Sequence, residues 1–204
     1  MLALVYDTET NGLPLSREPS SDPRQPHIVQ LAAHLVDVDE RRVIQSIDLI
    51  AEPDGWEIPE DVAAIHGITT ERAKEVGLPE KLVLDVFLML WNQAELRIAH
   101  NESFDSRIIR IAIKRLFKSD EAADYWKAGP AECTCNMATA IMKLPPTQKM
   151  RAAGRNTPKR ANLAEAYKHF TGQDLQDAHT AIADVNACMN VWYAIQDLEK
   201  SNAE

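Results

Sequence analysis

MLALVYDTETNG, residues 1–12, is the stretch whose reading decides the fold. A short apolar run, Leu2 to Tyr6, stops at two carboxylates, Asp7 and Glu9. An apolar run of that length bounded by a turn signal suits a strand buried on both faces. Side chains alternate along a strand, so positions two apart point the same way. Asp7 and Glu9 therefore stand side by side at the end of a buried strand. Adjacent negative groups repel and resist desolvation unless something positive lies between them, and a divalent cation is the simplest candidate. By itself an acidic pair at a strand end is more often solvated surface, so the reading depends on ligands from elsewhere. Asn11-Gly12 then turns the chain.

The bulk properties narrow the choices. With 204 residues, 45% of them hydrophobic and 26% charged, the chain reads as one globular domain over residues 1–204 with a sizeable core. It lacks an apolar run long enough to span a bilayer and a basic-then-apolar leader, so neither a membrane segment nor a secretory signal is expected. Cys133, Cys135 and Cys188 make an odd count without C-x-x-C spacing. That favours reduced thiols, a cytoplasmic location and no zinc site. The net charge of −9 limits non-specific affinity for polyanions. It leaves room for a local basic groove or a metal-mediated phosphate contact.

Taken in order, residues 13–27 carry Pro14, Pro19, Pro23 and Pro26 and read as a long loop at a functional rim. Residues 28–38 and 43–51, around a polar turn, read as an antiparallel pair that completes a three-stranded meander with the first strand. Pro59-Glu60-Asp61 opens a helix that stops at His66-Gly67, and Thr69-Thr70 caps another that ends at Gly77. Residues 79–94 predict a helix apolar over most of its circumference. A strand at 96–99 ends at His100-Asn101, and a helix over 103–117 follows, with Asp105 in its first turn.

Further on, the pattern predicts a helical turn over 120–127, a last short strand at 132–134 and a helix over 137–143. Cys133 and Cys135 then alternate as strand residues. Lys143, Lys149, Arg151, Arg155, Lys159 and Arg160 form a basic stretch over 143–160 without an acid, read as a loop or flap that guides a polyanion. Asn162-Leu-Ala-Glu165 has capping-box form. Residues 177–200 contain the last long helix, with Ile182, Val185, Met189 and Trp192 on its buried side. Five residues on a helix separate two side chains by about 140°. His179 is therefore expected in the loop before that helix and Asp184 within its first two turns.

Three segments now stand together: DTET at 7–10, HNESFD at 100–105 and HTAIAD at 179–184. In order and context they resemble the three motifs of the DnaQ-like 3′–5′ exonucleases of the DEDDh subgroup. AIHGIT at 64–69 resembles a further family segment, and the likeness runs from about Met1 to Trp192. The resemblance implies an α/β ribonuclease H-like fold: a five-stranded mixed sheet, three antiparallel strands first and then parallel additions, flanked by helices. It implies two Mg²⁺ or Mn²⁺ ions held by Asp7, Glu9, Asp105 and Asp184, with His179 as general base. Asp7 would bridge the ions, and Asp105 would support the site directly or through water.

The implied activity is removal of 5′-mononucleotides from the 3′ end of DNA, single-stranded or frayed. Trimming of RNA, or service as a proofreading or nucleic-acid-binding subunit with a polymerase, are the alternatives. The expected partner is nucleic acid with a free 3′ end, DNA before RNA, together with a polymerase or a second copy and no membrane. Substrate contacts would come from Glu9, Thr10, Leu13, His66, Asn101 and Phe104. Leu13 and Phe104 would hold the terminal base, though both are equally readable as core, and His66 as a plain helix end. His100 is read as orienting its turn. The chemistry fits independently: hydrolysis of a phosphodiester develops negative charge that paired cations clamp, hard oxygen ligands suit Mg²⁺, and histidine titrates near neutral pH.

Overall fold

A computed structural model describes residues 1–176 and 180–201. The chain lays down β1 (Leu2–Thr10), β2 (Ile28–Asp37) and β3 (Arg42–Glu52), then the helices α1 (Glu60–His66) and α2 (Thr70–Val76). A two-residue strand, β4 (Leu78–Pro79), leads into α3 (Glu80–Trp91), β5 (Leu96–Ala99) and α4 (Glu102–Leu116). The order finishes with α5 (Asp120–Ala128), β6 (Ala131–Cys133), α6 (Thr134–Met142), α7 (Gln148–Ala152), α8 (Leu163–Thr171) and α9 (Ala181–Ser201). No helix among the described residues is long and apolar enough to cross a membrane.

The sheet runs β4-β3-β2-β1-β5-β6. β1, β2 and β3 are antiparallel neighbours, while β5 lies parallel to β1, and β6 parallel to β5. The fold is the expected mixed α/β arrangement with six strands instead of five. The extra strand is β4, whose Leu78 and Pro79 pair with Ala51 and Glu52. Two residues carry no periodicity to read, and the pairing depends on a close approach at Gly77. A Cβ there would lie 2.3 Å from Ala73 O and 2.6 Å from Glu52 N, contacts that only glycine avoids.

Alternation along β1 divides the core into two layers. Leu4 and Tyr6 face a cluster with Val83, Phe87, Ile108, Ile111 and Trp126, supplied by α3, α4 and α5. Ala3 and Val5 face the other side, against Val185, Cys188 and Trp192 of α9. Burying such apolar side chains contributes about 1.5–3 kcal/mol each for the larger ones.

Some expectations change. α3 is less enclosed than its composition suggests, since Leu82 and Met89 are exposed. The last strand ends at Cys133, and α6 begins at Thr134, so Cys135 is a buried helix residue and not a strand partner of Cys133. The basic 143–160 segment contains the short helix α7, capped by Thr147 Oγ1, which accepts the Met150 N–H at 3.2 Å.

Candidate active site

The site is set by where the β1 ladder stops on one side. β5 pairs with β1 only at Ala3, Leu4 and Val5, while β2 follows β1 out to Thr10. Asp7, Thr8 and Glu9 thus border a notch where the parallel neighbour has ended. Asp7 and Glu9 continue the Ala3–Val5 face, the face covered by α9. Asp184 sits in the first turn of α9. One oxygen from each of Asp7, Glu9 and Asp184 falls within 4.8 Å of the other two. Two polar contacts seat α9 here. Gln30, paired in register with Glu9, accepts the first helical N–H, that of Ala181, at 3.3 Å. Further along, His34 Nε2 and Asn186 Oδ1 lie 3.1 Å apart.

Asp105 arrives from the opposite layer. It is 3% exposed, and its Oδ1 accepts both the Thr8 backbone N–H at 3.0 Å and the Thr8 hydroxyl at 2.7 Å. A side chain on α4 thereby takes the place of the missing β5 carbonyl. Beneath this turn Arg97 Nε donates to Glu102 Oε1 at 2.7 Å, a buried ion pair that fixes the start of α4.

Charge crowding is severe. Burial, then repulsion from Asp105, Glu9 and Asp184, raises the Asp7 carboxyl well above its ordinary range. Burial and the Asp184 and Asp105 charges push Glu9 up to about 8. Burial likewise raises Asp105 to about 7 against the opposing Thr8 hydrogen bonds. A bound divalent cation reverses these penalties, and three converging carboxylates are the hard oxygen donors such an ion takes. The donor set Asp7, Glu9 and Asp184 fits the implied metal, with Asp105 contributing its charge from behind the strand.

The remaining expected residues scatter around this centre. Glu9 is the one that belongs to the ligand set. Thr10 is buried and its hydroxyl donates to Gly12 O at 2.8 Å, closing the turn. Leu13 is 80% exposed, which removes the core reading. Phe104 is half-buried and packs against the core. His66 is 5% exposed at the end of α1, and its Nδ1 accepts the Ile68 N–H at 3.2 Å. Burial lowers its pKa, with the Thr10 backbone beside it acting the other way. Asn101 is a left-handed residue (φ 74°) before α4, and its Oδ1 accepts from Arg160 at 2.9 Å. His100 does hold its turn, between Thr134 Oγ1 at 2.9 Å and Ala161 O at 3.1 Å. His179 lies outside the described residues.

Sequence reasoning missed Thr8 and Gln30, and it named Arg160 only as one of the basic stretch, not as the partner of Asn101. Thr8 was findable, because alternation alone places it opposite Asp7 and Glu9. Gln30 and Arg160 gave no local signal, since their roles are contacts with residues 151 and 59 positions away.

A mixed sheet with an antiparallel first half and carboxylates gathered at the end of its first strand defines the ribonuclease H-like class. Within it, a family model described as "Exonuclease" (RNase T) matches residues 4–192, and the chain belongs to this DnaQ-like exonuclease family. No curated protein sequence matches the chain. Among solved structures, it is similar to an exonuclease I whose structure addresses processivity (TM-score 0.74, 21% identity, 96% of this chain and 41% of the other). It also resembles E. coli exonuclease I in complex with a dT13 oligonucleotide (TM-score 0.71, 21% identity, 96% and 40%). A zinc-bound form of the E. coli exonuclease I–ssDNA complex gives TM-score 0.71 at 18% identity, over 98% and 41%. The chain thus spans about two-fifths of the length of those exonuclease I chains.

Proposed function

We propose that the protein removes 5′-mononucleotides from the 3′ end of single-stranded or frayed DNA with the help of two divalent cations, Mg²⁺ or Mn²⁺. One observation carries the reading: carboxylate oxygens from Asp7, Glu9 and Asp184, brought from opposite ends of the chain, lie within 4.8 Å of one another. Nothing in the packing of a sheet requires buried acids to converge, and their mutual repulsion opposes it. Asp7, Glu9 and Asp184 would hold a first ion, Asp7 would also be a ligand of a second, and Asp105 would support the pair. When bound, such ions lower the pKa of a water and offset the charge that develops on the leaving 3′-oxygen.

The chain's own residues do the rest. Thr8 fixes the rotamer of Asp105 through two hydrogen bonds, so that its charge faces the notch. Leu13, exposed just beyond Gly12, offers an apolar surface to the terminal base, and Phe104 offers a ring edge. His66 and Asn101 border the same end of the sheet. His179 is the general base, apt because imidazole titrates near neutral pH. The three clustered acids all come from one chain. DNA is preferred over RNA as substrate because two of the similar structures carry single-stranded DNA.

The test uses 5′-labelled single strands of DNA and RNA with free or blocked 3′ ends. The expected result is a ladder shortening from the free 3′ end of DNA, abolished by EDTA and by Asp7→Ala. Cutting of a circular strand, or activity indifferent to EDTA, overturns the proposal.

A further inference from the structure

The basic segment after α6 has a defined architecture at its root and an unpartnered charge at its tip. Lys159 N–H donates to Leu144 O at 3.0 Å, pinching residues 145–158 into a closed loop. Leu144 and Ala161, on either side of the pinch, pack into one apolar cluster with α6, α8 and α9. Next to the pinch, Arg160 donates to Asn101 Oδ1 at 2.9 Å and to Asn136 Oδ1 at 3.4 Å. Asn101 is four residues before Asp105, about 6 Å along a helix axis. The loop is therefore rooted about one helical turn from Asp105.

Its charges divide into two sets. Lys159 is paired with Glu165, and Arg160 is engaged by the two asparagines. Among the described residues, Lys143, Lys149, Arg151 and Arg155 are in no ion pair, and all four are exposed. Arg151 donates from Nε to Pro146 O at 3.0 Å, which leaves its terminal nitrogens outward. Elsewhere the surface cations are commonly neutralised nearby, as Lys81 is by Asp85, Lys114 by Asp120 and Lys168 by Asp174. Among the described residues, a chain with net charge −9 thus keeps an acid-free, unpaired basic tip on a loop whose root reaches Asn101, the residue that precedes α4.

We propose that the 145–158 loop is an arm that binds the phosphate backbone of the polynucleotide on the internal side of its terminal nucleotide, through Lys149, Arg151 and Arg155. The proposal rests on the exonuclease reading for what the bound strand then undergoes, and it makes the arm a determinant of substrate length. A strand long enough to reach the tip gains three phosphate contacts, whereas a dinucleotide gains none. The acidic remainder of the surface repels strands that do not enter along the arm.

Binding of a labelled single strand is measured in EDTA, where no hydrolysis occurs, for the protein and for the Lys149→Gln/Arg151→Gln/Arg155→Gln variant across a salt series. Each phosphate contact to a single strand contributes about −0.7 to the slope of log affinity against log salt. The triple variant is expected to flatten that slope by about 2 and to weaken binding at low salt at least tenfold. With metal, its hydrolysis of a dinucleotide should stay unchanged while KM for the long strand rises. Thermal melting of the variant reports folding, and a Lys149→Arg/Arg151→Lys/Arg155→Lys variant, which keeps the charge, should retain the slope. An unchanged slope in a folded triple variant overturns the proposal, as does equal loss on the dinucleotide and the long strand. Should the protein hydrolyse nothing, the exonuclease reading fails, and the binding slopes still decide the arm.

Discussion

The 13–27 loop and the 143–160 segment both interrupt the fold with prolines and charges beside the carboxylate centre, and they are fastened in opposite ways. In the first, the Gln25 side chain is 1% exposed and accepts the Leu15 N–H at 3.0 Å. It also donates to Leu15 O, Glu18 O and Pro19 O at 3.0–3.3 Å. Arg107 reaches from α4 to Leu15 O and Glu18 O, and Arg115 to Gln25 O and Pro26 O. His27 then stacks on Trp56 at 4.7 Å and pairs with Glu80. The second segment is held at its base, by Lys159, Arg160 and a rim of apolar contacts. Arginines of α4 hold the carbonyls of the first loop, whereas Arg151 and Arg155 of the second are exposed and in no ion pair among the described residues. A loop whose backbone is tied to a helix sets Leu13 beside that helix, and a loop tied to the body at its root leaves its charges exposed.

The largest expected effect lies outside both. If the loops only place the strand and the carboxylates carry the chemistry, Asp7→Asn should lower kcat on the order of a thousandfold, with binding of a long strand in EDTA retained. The same substitution removes a carboxyl whose ionised form Asp105, Glu9 and Asp184 oppose. Its melting temperature in EDTA should therefore rise. A variant that loses strand binding as completely as activity would erase the division of labour.

Gln25→Leu attacks the fastened loop. It leaves the Leu15 N–H without its partner and takes one donor from three carbonyls that each keep another, Arg107 for Leu15 O and Glu18 O and the Asp22 N–H for Pro19 O, and an unsatisfied buried group costs about 1–3 kcal/mol. A loss of about 1–3 kcal/mol is expected in urea unfolding, together with a raised KM through Leu13. A loss below about 0.5 kcal/mol, the level of a neutral surface change, would make the two loops equivalent.

The sequence exposed these regions unequally. Asp7, Glu9 and Asp184 were legible because strand alternation and the position of Asp184 in a helix opening are local facts. The placement of Asp105 behind the strand was not, because it follows from β5 ending at Val5, a register fixed by pairing across more than ninety residues. β4 escaped for a related reason, as a two-residue strand made by backbone pairing and the bare Gly77. Prolines correctly marked both loops and gave no hint of which one was tied, because Gln25, Arg107 and Arg115 act through carbonyls that every residue carries. Cys135 was misplaced by one helical start: a strand–helix junction at Cys133–Thr134 breaks the period-2 reading that joined the two cysteines.

A pH scan separates the charged centre from both loops by a smaller amount. Glu9 is raised to about 8 from an ordinary value near 4.5, and Asp105 to about 7. The folded state therefore binds these protons more tightly than the unfolded chain. Their stabilisation is fully present below the ordinary carboxylate range and is lost as pH rises through about 7–8. In EDTA the melting temperature should fall by a few degrees over that window. Adding Mn²⁺ should raise it more at the alkaline end, where no proton competes for the oxygens. A flat scan in EDTA would mean the carboxylates are not crowded as described.

The smallest effect is the sharpest contrast with Gln25. Arg151 lies on the exposed arm, and its side chain donates to Pro146 O within the same loop. Arg151→Gln should alter unfolding free energy by less than about 0.5 kcal/mol, since no buried group loses a partner. It should still remove about 0.7 from the salt slope of strand binding. A residue that moves binding and leaves stability alone, set beside one that moves stability first, distinguishes an arm from a strut. If Arg151→Gln destabilised the protein as Gln25→Leu is expected to, the arm would be a second fastened loop, and its outward charge would have a structural origin.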